Sequence, residues 1–306
     1  VSSTHFFPHS SSRLRAVFQA LLVTFLWSLS WVLIKAGLEE IPALTFAGLR
    51  YVLAFLCLLP LVVRSRHLKA IRGLTGADWL RLTSLGLVWY TLTQGAQFLA
   101  LDRLPATTTS LILSFSPVVV ALLGIAFLAE QPRRAQWVGM AVYLVGAAIF
   151  LYPVNLPAQQ VVGLGIAVLG LLANAGAAVL GRAVNRSGVL SPLVVTVVSM
   201  GIGSLVLLAT GLATQGMPVL SPSSWAIVGW LAVVNTAFAF TLWNLTLRTL
   251  SATESSVINN TMLIQIAVLA WVFLDESLSP TEVTGLVLAA FGVLLVQVRR
   301  LRRWSS

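Results

Sequence analysis

The sequence contains itself. Displaced by 146 residues, LDRLPATTTSLI (101–112) falls on LRTLSATESSVI (247–258) without a gap. In the same register FLAE (127–130) meets FLDE (273–276), Gly139 meets Gly285, Gly146 meets Gly292, and Asp78-Trp79 meets Ser224-Trp225. Residues 98–151 match their mates at 14 of 54 positions. Apolar composition alone gives scattered matches. An ungapped register that also crosses a connecting loop constrains the chain to two copies of one unit.

Composition decides what that unit is made of. Only 9% of the 306 residues are charged, against about 25% in soluble domains, and the mean hydropathy is +0.93. The apolar runs are continuous rather than alternating, so they read as membrane-spanning helices and not as barrel strands. Ten spans are expected, near 16–36, 42–63, 78–101, 105–129, 134–152, 162–182, 191–211, 224–248, 252–274 and 280–298. The units then cover 15–152 and 161–298, between a Ser-rich, disordered start (1–14) and a basic tail (299–306). The first apolar run reads as a span and not as a signal peptide, because it has a counterpart in the second unit.

Five spans per unit is an odd number, so the second unit must enter the membrane from the opposite side. Charge placement agrees. Of 19 basic residues, 16 sit at one set of span ends, the other set holds Lys35 and Arg103, and Arg50 lies within a span. By the positive-inside rule both termini are cytoplasmic. The net charge of +10 is thus an orientation signal, and nucleic acid is not an expected partner. The expected fold is an all-α membrane protein, with ten transmembrane helices as two inverted five-helix repeats around a central cavity. Such repeats place a solute site near the midplane at their junction. The expected partners are a small-molecule substrate and membrane lipid.

Several motifs carry a family resemblance. Each unit closes its fourth span with Leu-x-Glu (Leu128-Ala129-Glu130 and Leu274-Asp275-Glu276). Arg50 lies early in the second span within FAGLRYVLAFL, Trp27-Ser28 lies in the first, and Pro117 in the fourth. Over about residues 14–298 the chain resembles the EamA-like branch of the drug/metabolite transporter superfamily. The resemblance implies a bacterial inner-membrane exporter of amino acids, including aromatic ones, or of other small solutes. It also implies a cavity lined by the first, third, fourth, sixth, eighth and ninth spans. Leu263 stands where the repeat mate Pro117 would call for proline. A lipid-linked headgroup flippase of the same superfamily is the alternative reading.

Candidate lining residues follow from helical spacing. Thr253, Ser256, Asn260 and Leu263 share one stripe of span nine, and their mates Thr107, Ser110, Ser114 and Pro117 share one of span four. Asn260 lies about 12 Å into the membrane, where a polar side chain facing lipid is costly. Asn259 points about 100° away from it, so one of the two is expected to face the cavity centre. Span three adds Tyr90, Gln94 and Gln97, whose mates on span eight are Thr236, Phe240 and Trp243. Trp27 and Ser28 on span one and Asn174 on span six complete the set. For the Ser, Thr and Asn stripes the competing role is helix-to-helix hydrogen bonding, for the Tyr and Trp of spans three and eight it is marking the membrane interface, and for Trp27 it is packing against small residues of span six. Arg50 either contacts an anion or snorkels to the surface.

Gly139, Gly146, Gly285 and Gly292, and the series Ala173, Ala177 and Gly181, read as close-packing seams. Glu130 and Glu276 read as helix caps. No Asp or Glu lies deep in a span, so facilitated export without a dedicated proton site is expected. An intramembrane enzyme would need a nucleophile with a base, paired acids or a metal cluster. The single Cys57 and the placement of His5, His9 and His67 outside the apolar runs supply none, and no metal or cofactor is expected.

Overall fold

The computed structural model describes residues 10–63, 67–116, 118–119, 123, 134–152, 158–186, 190–246 and 252–298. All regular structure among them is helical. The first unit contains α1 (Ser10–Gly37), α2 (Ala43–Val63), α3 (His67–Arg72), α4 (Gly76–Gly86), α5 (Gln94–Arg103), α6 (Ala106–Leu113) and α7 (Arg134–Leu151). The second contains α8 (Ala158–Arg186), α9 (Pro192–Gln215), α10 (Pro222–Ala232), α11 (Ala239–Thr246), α12 (Ala252–Phe273) and α13 (Pro280–Val298). Among the described residues four helices are long and apolar enough to cross a membrane unaided: Leu14–Gly37, Ala43–Val62, Gln160–Gly181 and Leu193–Gln215. Large apolar side chains stand exposed on outer faces, among them Phe18, Leu56, Val162, Leu205, Trp271 and Phe291. Patches of this extent are rare on water-soluble monomers and suit contact with lipid.

The third and eighth expected spans are not uniform α-helices. α4 passes into α5 through a π-helical stretch, Leu87–Thr93, and α10 passes into α11 through another, Val233–Phe238. The two occupy equivalent places in the repeat. In each, a threonine hydroxyl bridges back five residues: Thr93 Oγ1 donates to the Val88 carbonyl at 2.9 Å, and Thr236 Oγ1 to that of Leu231 at 2.9 Å. Such π-stretches recur at functional sites. The fourth span also departs from one straight helix. α6 stops at Leu113, four residues before Pro117, whose ring excludes the carbonyl at that spacing. Ser114 and Phe115 continue in looser turns. Most of the rest of that span, with Pro117 and Glu130, lies outside the described residues.

Two pairs of equivalent helices make the tightest contacts, α2 with α9 and α7 with α13. Along α7–α13 a Cβ on Gly285 would lie 2.5 Å from the Phe150 amide nitrogen and 2.6 Å from the Gly146 carbonyl. One on Gly292 would lie 2.7 Å from the Gly139 carbonyl. These glycines let backbones touch where side chains could not. On α8 a Cβ on Gly163 would lie 2.8 Å from Leu104 and one on Gly170 3.1 Å from Ala96, whereas one on Gly181 would be in ordinary contact with Trp89 at 3.6 Å.

The first helix of each unit packs into the other unit. α1 lies against α12, α11 and α10, and α8 lies against α5, the π-stretch 87–93, α6 and α4. The space between these interleaved helices is the cavity described next.

One connection is tied by a carboxylate. Glu40 accepts hydrogen bonds from Ser221 Oγ at 2.7 Å and Ser224 Oγ at 2.6 Å, and these hydroxyls hold its carboxyl below the usual carboxylate range. A depressed folded-state value means that the stabilisation is present at neutral pH and is lost as pH falls through that value. Thermal melts of Glu40→Gln should therefore show a smaller loss of stability between neutral and acidic pH than the parent. Equal losses in both proteins would show that the tie contributes nothing measurable.

Candidate functional site

A cavity of about 460 Å³ lies between the two units. α1 contributes Trp27, Ser30 and Trp31, and α2 contributes Arg50 and Tyr51. Trp89 and Thr93 come from the first π-stretch, Gln94 and Gln97 from α5, and Ser110 and Leu113 from α6, followed by Ser114. The second unit adds Asn174, Phe240, Asn259, Thr261, Met262, Leu263, Ile264, Ile266, Ala290 and Leu294.

Of the residues selected from sequence, Trp27, Arg50, Gln94, Gln97, Ser110, Ser114, Asn174 and Asn259 border this space. Ser28, Tyr90, Thr236 and Trp243 do not. The π-stretches explain two of these placements. With an i→i+5 repeat, the residue one turn before Gln94 is Trp89 rather than Tyr90. Accordingly Trp89 reaches the cavity, while Tyr90 turns into the core against Tyr51 at a ring separation of 5.6 Å. The same shift buries Thr236 while Phe240 stays on the wall.

Trp243 packs against Trp27 in a tilted pair with ring centroids 5.3 Å apart, and Phe240 makes a similar tilted pair with the same indole at 5.2 Å. Ser28 is fully buried and donates to Gln265 Oε1 at 2.9 Å. Gln265 also reaches Thr261 Oγ1 at 2.9 Å. This glutamine was missed from sequence although it stands in the same apolar run as the asparagines, and it joins α12 to α1. The side chains of Ser256 and Asn260 lie outside the described residues.

Hydrogen bonds fix how the polar wall presents itself. Tyr51 Oη donates to Gln94 Oε1 at 2.6 Å, leaving the N–H side of that amide available. Asn174 Nδ2 donates to Ser116 Oγ at 2.9 Å, leaving its oxygen as an acceptor. Ser110 and Ser114 donate to carbonyls of their own helix at 2.8 and 2.7 Å. The Trp27 indole donates to the Asn235 carbonyl within the second π-stretch at 3.1 Å. Its N–H is therefore spent on joining α1 to the other unit, and its ring faces the cavity. Arg50 is only 4% exposed, so it does not snorkel to the surface. Its Nε donates to Thr236 Oγ1 at 3.1 Å, and its guanidinium carbon lies 5.2 Å from the Tyr51 ring centroid.

The helix ends one turn from the cavity wall are clamped by charges. Lys35, Leu101 and Thr107 stand one helical turn beyond Trp31, Gln97 and Ser110. Lys35 Nζ donates to the Leu101 carbonyl at 2.6 Å and the Leu104 carbonyl at 2.8 Å, a cation on the C-terminal end of α5. Glu276 accepts from the amides of Ala106 at 2.7 Å and Thr107 at 3.2 Å, and from Thr107 Oγ1 at 2.8 Å. It thus caps α6, whose own N-cap position, Pro105, has no side-chain hydrogen bond. The Leu-x-Glu of the second unit caps a helix of the first.

Among the described residues no group of three or more His, Cys, Asp or Glu could hold a metal ion. The cavity is amphipathic, mostly uncharged and shared by the two repeats, and its size and lining suit a small solute.

The EamA-like transporter family matches residues 14–152 and 161–298, once for each unit. The chain belongs to the EamA-like transporter family. Similar proteins include the uncharacterized transporter YvbV of Bacillus subtilis, 28% identical over 294 residues that cover 92% of either chain. The S-adenosylmethionine/S-adenosylhomocysteine transporter of Chlamydia trachomatis serovar L2 is 25% identical over 94% of this chain and 90% of its own length. A probable amino-acid metabolite efflux pump of Salmonella typhimurium is 26% identical over 94% of this chain and 98% of its own. The protein is a multi-pass membrane transporter of this family.

Proposed function

We propose that this EamA-like protein exports small metabolites, foremost amino acids with aromatic or apolar side chains, by alternating access across a bacterial inner membrane. In this reading ten spans form two inverted repeats, and both termini are cytoplasmic. The observation that carries it is the cavity itself. Side chains from both repeats meet there, and aromatic rings stand beside amide and hydroxyl groups, as a solute with an apolar body and a polar head requires. The similarity to an amino-acid metabolite efflux pump supports the substrate class. Trp27, Gln94, Gln97, Ser110, Ser114, Asn174 and Asn259 are the proposed solute contacts. Asn260 and Ser256 are kept as candidates from sequence alone. No carboxylate is found among the described lining residues, which favours export down a gradient over proton exchange.

The test is a growth panel in a sensitive bacterium, challenged with toxic amino-acid analogues, nucleoside analogues and cationic drugs. Protection is expected against the amino-acid analogues and should largely disappear in Asn259→Ala at unchanged protein level. Protection confined to another chemical class would replace the amino-acid assignment. Full protection by Asn259→Ala would remove that side chain from the site. In vesicles, an imposed pH gradient is expected to leave solute accumulation unchanged, and uphill uptake driven by protons would overturn the gradient-driven reading.

A further inference from the structure

We infer that the cavity holds its solute by a carboxylate, with Arg50 and Gln94 forming an anion pole, and that an amino group on the solute is dispensable. The inference rests on the transport reading and narrows it to monocarboxylates with an aromatic body.

Arg50 is a formal charge about 10 Å along α2 from Ala43, and it is 4% exposed. No described acid pairs with it. Its Nε is satisfied by Thr236. Its two terminal amino groups have no hydrogen-bond partner among the described residues, and the residue borders the cavity. A mostly buried guanidinium whose remaining donors open onto the cavity is poised to be completed by an anion there. Tyr51 connects it to a second donor. The tyrosine ring lies beneath the guanidinium, and its hydroxyl occupies Gln94 Oε1, so the Gln94 amide offers only N–H groups to the same space. A planar guanidinium matches the two oxygens of a carboxylate, and the Gln94 N–H groups line the same cavity.

The rest of the wall lacks the opposite charge. No Asp or Glu is found among the described lining residues, and Trp27, Trp31, Trp89 and Phe240 supply flat apolar surface. An amine would meet Arg50 and no counter-ion. A neutral solute would leave the guanidinium unpaired.

The experiment is equilibrium binding to the purified full chain in nanodiscs, with four probes of one body: phenylalanine, 3-phenylpropionate, phenylalaninamide and 2-phenylethylamine. Both carboxylates are expected to bind with similar affinity, and the amide and the amine at least about tenfold more weakly, as loss of a charge-assisted hydrogen bond implies. Arg50→Gln should weaken the carboxylates by about tenfold or more, and Arg50→Lys by less. Thr236→Val removes Arg50's partner within the protein but not its charge, and should keep carboxylate binding. A purely structural arginine would make Thr236→Val resemble Arg50→Gln.

Binding of 2-phenylethylamine as tight as that of 3-phenylpropionate overturns the inference, and so does absence of binding by both carboxylates. Carboxylate affinity unchanged in folded Arg50→Gln does the same. Flux of a neutral or cationic solute through the protein would then still uphold the transport reading. That reading falls separately, if no solute of the growth panel is exported.

Discussion

A Gly285→Val variant is expected to lose the α7–α13 interface, and with it most of the folded protein recovered from the membrane. A Cβ at this position would stand 2.5 Å from the backbone nitrogen of Phe150 and 2.6 Å from the carbonyl of Gly146. Neither is the tip of a flexible side chain, so relief requires the helices to separate. Within lipid their association rests on close packing and not on hydrophobic exclusion, and a gap of even 1 Å forfeits much of it. The cost should reach or exceed the upper part of the roughly 1–3 kcal/mol typical of overpacking. Gly165→Ala is the matched control, because nothing lies within 4 Å of its Cβ. Alanine in a helix there should be neutral or stabilising by up to about 1 kcal/mol. Size-exclusion profiles and melting temperatures in detergent check both. A monodisperse, equally stable Gly285→Val protein would refute the seam.

The second large effect is expected for Glu276→Ala. One carboxylate satisfies two backbone amides and one hydroxyl at the start of α6, and Pro105 provides no substitute. Removing it should cost about 2–3 kcal/mol, as the loss of charge-assisted hydrogen bonds with partners left partly buried implies. Glu276→Gln keeps an acceptor and should lose less. Lys35→Met removes the companion clamp on α5. Because the two charges hold either side of the same short connection, the double variant should lose less than the sum of the single losses, by about 0.5 kcal/mol or more. A double-mutant cycle on melting temperature reads this directly. Strict additivity would mean that the two clamps act independently. Since both stand one turn beyond Trp31, Gln97 and Ser110, their loss should also raise passive leak past this end of the cavity wall, measurable by dye release from vesicles.

How far the sequence could be read depended on whether a position obeyed a regular period. The α7–α13 glycines were legible because a seam needs only small residues at a fixed spacing, and both copies carry them. Gln94, Gln97, Ser110 and Ser114 were placed on helical stripes and lie on the cavity wall. Tyr90 and Thr236 were placed by the same arithmetic and lie elsewhere. Leu87–Thr93 and Val233–Phe238 leave the 3.6-residue period, and apolar residues carry no mark of an i→i+5 turn. The partners of Ser28 and Trp27 were equally hidden. Gln265 and the Asn235 carbonyl come from the other unit, and no local pattern says which helices will interleave. Capping by Glu276 was legible as chemistry, since an acid near a helix start is favourable, but the helix it caps lies 170 residues back along the chain.

The interleaving of α1 and α8 sets a schedule on biosynthesis. When the nascent chain has delivered the first unit, α1 is in the bilayer but its main partners, α10 to α12, are still to be translated. It must wait through more than a hundred residues of synthesis with the Trp27 indole N–H unpaired in lipid and Ser28 bonded only to the Thr24 carbonyl of its own helix. The first half is therefore an unfinished object until the ribosome is nearly done. Cutting the gene between the units should yield fragments that recover the fold only when both are made together in the same membrane.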